Sequence, residues 1–369
     1  MERMVSYGMG SRCGFLLLSL GLVVIAGCNA VAADQVALSA QSDAKLQSSS
    51  AEPLRGGMAS EHRAVQSRAT LVGEGLIRDN TGVVSSSPCA QHEELLLDPV
   101  VPPVCDELEI ASLGTSYHAY LFSKSHDVLV IYHEGHHECG QSRALGDTIL
   151  PDAKDLMVRL LERADVLYLD MPLLAINCGQ KIDINGIKYT GASHNWFAIL
   201  DRPGESALAF FFNHIHQALD FLGPKYRTIH MTGRSGGGWA TTVYAAVDWR
   251  ITRSVSVAGS LPIEFRTPDL DGIDDIGDWE QYGPHVLRLL SYEALYEAAG
   301  GVAEPRRHIQ IYNEFDNCCF SGVKGLAAAD AYSASKAEYM QGRVKFLVNR
   351  GEWSHVIPVE MVIEQLFGP

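Results

Sequence analysis

Residues 228–247 read Thr228-Ile-His-Met-Thr-Gly233-Arg-Ser235-Gly-Gly-Gly238-Trp-Ala-Thr-Thr-Val-Tyr-Ala-Ala-Val247. Thr228 to Thr232 is a short run mixing β-branched and apolar residues, which predicts a buried strand. Gly238 to Val247 predicts a helix. Between them the chain must turn within Gly233-x-Ser235-x-Gly237. So sharp a turn puts its serine in a strained backbone conformation and leaves no room for side chains beside it, hence the glycines. A helix starting here aims its first amides at the serine and favours negative charge beside it, which makes the Gly236 amide a natural oxyanion donor. Glycine-rich phosphate loops need a lysine or another glycine spacing, and this stretch has neither.

Outward from this turn, apolar β-branched runs alternate with helical stretches. Asp127 to Tyr132, Asp165 to Leu169, Ile251 to Ala258, His308 to Tyr312 and Val344 to Asn349 predict strands. Asp152 to Arg163 and Ser206 to Leu222 predict helices. The alternation predicts an α/β fold with a mostly parallel central sheet covered by helices on both faces. Such sheets carry their chemistry in the loops beyond the C-terminal strand ends.

With its strand–turn–helix context, the Gly233–Ala258 region resembles the α/β-hydrolase family. Its reach to Pro262 is also similar to a bacterial group of exported, lipoprotein-like hydrolases of unassigned activity. The resemblance covers roughly residues 110–369 and implies a serine nucleophile, then an acid, then a histidine, in that chain order. It assigns the nucleophile to Ser235 and the acid to Asp316, at the end of the Asn313-Glu314-Phe315-Asp316 turn, with Glu314 as runner-up. The base falls on His355, in the loop after the last strand. In that scheme the histidine takes the serine proton, and the acid fixes its tautomer.

The first strand runs into His133-Glu134-Gly135-His136-His137, which spells His-Glu-x-x-His. As a zinc motif this needs a helix that brings His133 and His137 to one metal. A strand leads into it and a glycine sits at its centre, so a loop is expected and no metal. The family resemblance instead implies that Gly135 or His136 supplies the second oxyanion amide. Residues 179–198, with His194-Asn195-Trp196, are a candidate pocket wall. The acidic stretch 269–280 lacks calcium-loop spacing and is expected to be a solvated cap loop.

The formal net charge of −15, with no Lys/Arg run, excludes nucleic acid as a partner. The apolar run Phe15 to Ala26 is too short to span a bilayer and has the character of a signal-peptide core. It ends in Val24-Ile-Ala-Gly-Cys28, which resembles the lipobox of bacterial lipoproteins. That resemblance implies cleavage before Cys28, lipidation of its sulfur, and anchoring in the bacterial cell envelope, with Asn29 favouring the outer membrane. The expected organisation is a signal peptide at 1–27, a flexible tether at 28–87 rich in Ala, Ser, Gln and Gly, and the catalytic domain at 88–369.

Six further cysteines, an even number in an exported chain, predict disulfides. Cys89 and Cys105 make a plausible local pair. Cys139 or Cys178 is expected to bridge to Cys318 or Cys319. The function expected from all of this is hydrolysis of a small or polymeric ester through a Ser-His-Asp triad, without a cofactor. A serine peptidase of the same fold, and a zinc peptidase built on His133 and His137, are the alternatives.

Overall fold

The computed structural model describes residues 54–78, 82–90, 102–137, 139, 149–184, 186–191, 193–266, 277–301, 305–336 and 343–369. Segment 1–27, Cys28 and most of the acidic stretch 269–280 lie outside the described residues. Among those residues, no helix is long and apolar enough to cross a membrane.

The chain opens with α1 (Leu54–Gly73), β1 (Val84–Pro88), β2 (Val104–Ser112), β3 (Thr115–Ser123), β4 (Val128–His133), α2 (Pro151–Leu160) and β5 (Asp165–Leu169). A small hairpin of β6 (Ile182–Ile184) and β7 (Ile187–Tyr189) follows, then α3 (Ala209–Leu222), β8 (Thr228–Arg234), α4 (Gly236–Val247) and β9 (Ile251–Val257). Three shorter helices come next: α5 (Trp279–Tyr282), α6 (Val286–Leu289) and α7 (Tyr292–Gly300). The described chain ends with β10 (Arg307–Asn313), α8 (Gly322–Lys336), β11 (Val344–Asn349) and α9 (Val359–Phe367).

The main sheet runs β1-β2-β3-β5-β4-β8-β9-β10-β11. From β5 to β11 every pairing is parallel, while β1, β2 and β3 extend one edge in antiparallel fashion. Burial on both faces explains the continuous apolar runs. Leu129 and Ile131 of β4 enter one core with α3, α4 and α7, and the alternating Val130 and Tyr132 enter the other with α2 and α9. From β4 the chain passes to β5 on one side and later to β8 on the other. The strand order therefore reverses between β4 and β8, whose C-terminal ends meet where His133 pairs with Gly233, the place at which such sheets carry their sites.

Residues 54–88 correct the expected tether. Helix α1 docks on the domain: Leu71 is fully buried, Arg63 Nε donates to Glu297 Oε2 at 3.2 Å, and Arg68 Nε donates to the Val247 carbonyl at 2.8 Å. Strand β1 pairs with β2, and the Cys89–Cys105 disulfide ties them together. The buried stripe of α1 is made of Ala64, Ser67 and Leu71, too weakly apolar to stand out as a pattern.

The core holds four histidines whose burial keeps them neutral. His133 and His230 are pushed down to about 4 and His308 to about 3, while His214 lies well below its ordinary value. Arg253 adds to the effect at His230 and Arg306 at His308. A histidine depressed in the fold is protonated first in the unfolded chain, so stability falls as pH drops below about 6.5 and keeps falling to about 4. At pH 5.5 each such histidine costs about 1.4 kcal/mol. Thermal unfolding followed from pH 8 to pH 5 is expected to show a flat upper region and a steep loss below pH 6.5. A Tm unchanged at pH 5 would contradict burial of neutral rings.

Candidate active site

Ser235 sits between β8 and α4 with φ 56° and ψ −127°, a conformation costly for any residue with a side chain. Packing enforces the turn. A Cβ on Gly233 would lie 2.5 Å from the backbone of Gly237 and from the His133 carbonyl, so only glycine allows β4, β8 and α4 to approach this closely. The Ser235 amide donates to the Val257 carbonyl at 2.9 Å, which pins the turn to β9.

Strands β10 and β11 deliver the second half of the site. His355 Nδ1 lies 2.9 Å from Asp316 Oδ2, and the side chain of Asp316 is fully buried. The other Asp316 oxygen accepts the amides of Cys318 and Cys319 at 2.9 and 3.1 Å. An ionised carboxylate only accepts, so His355 carries its proton on Nδ1 and keeps a lone pair on Nε2. That nitrogen is buried and has no hydrogen-bond partner among the described residues. Glu314, the runner-up acid, instead accepts Arg350 Nη1 at 2.9 Å and the Gly351 amide at 2.8 Å. Those bonds hold its carboxyl below the usual range.

The two halves are joined through Arg234, the residue before the serine. Its guanidinium donates to Asp152 Oδ2 and to Glu134 Oε1, both at 2.8 Å. The same Asp152 oxygen accepts the Ile357 amide at 2.9 Å, two residues beyond His355. Glu134 also accepts the Tyr132 hydroxyl at 2.7 Å and the Gly135 amide at 2.9 Å. This network was missed in the sequence; Asp152 there looks like an ordinary acid in the first turn of a helix.

The HEGHH segment is a strand end and loop, not a helix. His133 is buried with Nδ1 2.8 Å from the Glu134 carbonyl. A Cβ on Gly135 would lie 2.7 Å from Ser235 Cβ and 3.1 Å from the Gly236 amide nitrogen, so this loop lies against the nucleophile turn. The Gly135 amide is already committed to Glu134 Oε1 at 2.9 Å, which counts against its expected role as oxyanion donor. The His136 ring borders Gly236, where a Cβ would lie 2.6 Å from Nδ1.

His136 meets His194, at the start of the 3-10 turn His194–Ile199, and Glu280 of α5. Glu280 is fully buried. Burial opposes its charge, but the His194 and His136 rings facing it hold it well below the ordinary carboxylate range. Burial also opposes a charge on His136, whose value Glu280 and Asp278 nonetheless raise. Both His194 and Asn195 line a cavity of about 440 Å³ beside His136. A second cavity, of about 640 Å³ near the β2–β3 turn, includes none of the nucleophile, acid or base residues.

The disulfides differ from the expected pairing. Cys139 bonds Cys178, and Cys318 bonds its neighbour Cys319, so no bridge links the two pairs.

No protein-family model matches the sequence, nor does any curated protein. Among solved structures the chain is similar to the methylesterase BT1017, with a TM-score of 0.53 at 15% identity over 85% of this chain. It spans 63% of the length of that protein. It is also similar to acetyl xylan esterase 1 from Thermoanaerobacterium sp. JW/SL YS485, with a TM-score of 0.47 at 14% identity, covering 83% of this chain and 92% of that one. For Est1E from Butyrivibrio proteoclasticus the TM-score is 0.43 at 16% identity, covering 70% and 94%. The sheet order, the strained strand-to-helix turn at Ser235 and the likeness to the methylesterase define an α/β-hydrolase fold.

Proposed function

We propose that the chain hydrolyses carboxylic esters through an acyl-enzyme on Ser235. The observation that carries this reading is the His355–Asp316 hydrogen bond, which leaves a lone pair on Nε2, in a fold whose strained turn presents Ser235. Ser235 Oγ bonds to the ester carbonyl carbon as its proton passes to His355 Nε2. The amides of Gly236 and His136 receive the oxyanion. His355 returns the proton to the departing alcohol. Water, deprotonated by the same nitrogen, then releases the acid and regenerates Ser235. The methylesterase of like fold favours an ester over a peptide bond.

A fluorophosphonate probe is expected to label the purified chain at Ser235, and short-chain acyl esters to turn over faster than peptide amides. An unlabelled protein would end the serine reading; faster amide cleavage would move it to a peptidase.

The lipobox-like Ile25-Ala26-Gly27-Cys28 supports an envelope protein anchored by lipid at Cys28. Expressed in a bacterium, the chain is expected in the membrane fraction and Cys28→Ala in the soluble one. Equal partition of the two would refute the anchor.

A further inference from the structure

We propose that His136, His194 and Glu280 form a mononuclear site for a divalent transition-metal ion of the zinc type, beside the nucleophile turn. Their ligand atoms all lie within 4.8 Å of one another. His136 Nε2 is 3.0 Å from His194 Nδ1 and 2.8 Å from Glu280 Oε1, and His194 Nδ1 is 3.3 Å from Glu280 Oε2. Three ligands held tetrahedrally at about 2.0–2.2 Å from one ion stand about 3.3–3.6 Å apart. The set therefore needs only slight expansion to admit it.

The protons point the same way. His194 Nε2 lies 2.9 Å from the Pro172 carbonyl, which only accepts, so that nitrogen bears the hydrogen and Nδ1 turns a lone pair toward His136 and Glu280. Fixing a ligand imidazole through its far nitrogen is the usual device of metal sites. Both Glu280 oxygens are buried, and neither receives an aligned hydrogen bond. These lone pairs repel at this range unless a proton on His136 Nε2 or a metal cation lies between them.

The frame is stiff and one side is open. The His194 ring packs edge-on against Phe211 at 5.0 Å, and Trp279, next to Glu280, stacks on Phe197 at 6.4 Å. The cavity of about 440 Å³ reaches both histidines, leaving room for water as a further ligand. Asp278 Oδ2, 3.3 Å from His136 Nε2, is an alternative fourth ligand. Two imidazoles and one carboxylate select zinc-like ions over calcium or magnesium, which prefer all-oxygen shells. This set excludes His133 and His137. The other cluster of ligand-type side chains, Cys318, Cys319 and His355, has its sulfurs bonded to each other and its ring held by Asp316. An ion at His136 would cross-link the loop that offers the His136 amide to the 194 turn and to α5.

The test is metal content, which does not depend on the ester reading. Tag-free full chain is stripped with a chelator, dialysed against zinc and assayed by atomic spectrometry. One zinc per chain is expected, with a Tm raised by about 5 °C. Cobalt in its place should give the visible bands of a tetrahedral centre. Glu280→Gln and His136→Ala should lose the metal and the cobalt bands, whereas His137→Ala should keep both. Near-UV circular dichroism checks that each variant is folded, and His136, at the rim, is the safer of the two losses. No stoichiometric zinc in the wild type, or zinc kept by folded Glu280→Gln and His136→Ala, overturns the site in favour of a shared proton.

Discussion

Replacing Ser235 with alanine is expected to lower kcat on the best ester by about a million-fold while leaving the fold intact. The side chain lost is small, and the strained backbone at φ 56° is relieved little by alanine, so Tm should move by less than 2 °C or so. His355→Ala should cost about as much as Ser235→Ala, and the double variant no more than either, because nucleophile and base act as one unit. Asp316→Asn is the more telling change. An asparagine amide turned toward Nδ1 would place the His355 proton on Nε2, so kcat should fall about ten-thousand-fold with little change in KM. Glu314→Gln should leave kcat within about threefold, because that carboxylate binds Arg350 and Gly351 instead. Steady-state kinetics on the five variants decides this; an additive double variant would mean that Ser235 and His355 do not work together.

The second large effect is expected at Arg234. Its side chain is 7% exposed and that of Glu134 1%. Beneath them lies Asp170, pushed well above its ordinary value by burial and by the charge of Glu134. Arg234→Met therefore leaves Glu134 buried, charged and without its cation, at a cost of about 3–5 kcal/mol. In a domain of this size that corresponds to roughly 10 °C in Tm. Activity should fall further than stability predicts. Glu134 holds the Gly135 amide and Asp152 the Ile357 amide, so oxyanion loop and base loop loosen together, and an ångström of misplacement costs about a hundred-fold. Arg234→Lys should recover part of the stability and less of the rate, since one ammonium nitrogen cannot hold both carboxylates in the spacing that Nη1 and Nη2 set. Chemical denaturation with parallel kcat measurements tests both; a Met variant as stable as the wild type would show the network to be ornamental.

Much of the fold was legible because a doubly covered sheet writes itself as unbroken apolar runs. Residues 165–169, buried throughout, appear as a strand with the bounds the sequence suggests; the half-buried edge strand 344–349 keeps its suggested bounds as well. Strand β2, inside the antiparallel end of the sheet, was not legible, since Asp106, Glu107 and Glu109 break its apolar alternation. Nor was α1, which docks through Ala64, Ser67 and Leu71 and two arginines rather than an apolar stripe. For the candidate site, the order serine, acid, histidine can be read along the chain, because each residue follows its own strand. The commitment of the Gly135 amide to Glu134 could not be, nor the meeting of His136 with His194 and Glu280. Those depend on where loops from distant strands end in space.

If Cys28 carries the proposed lipid, the docking of α1 shortens the leash. Only 25 residues then lie between the anchor and Leu54, and fully extended that span reaches about 90 Å. A domain confined to a half-sphere of that radius meets groups on its own membrane at an effective concentration of about 1 mM. Esters displayed on that surface would be served near saturation even by a weakly binding site, whereas freely diffusing ones gain nothing from the leash.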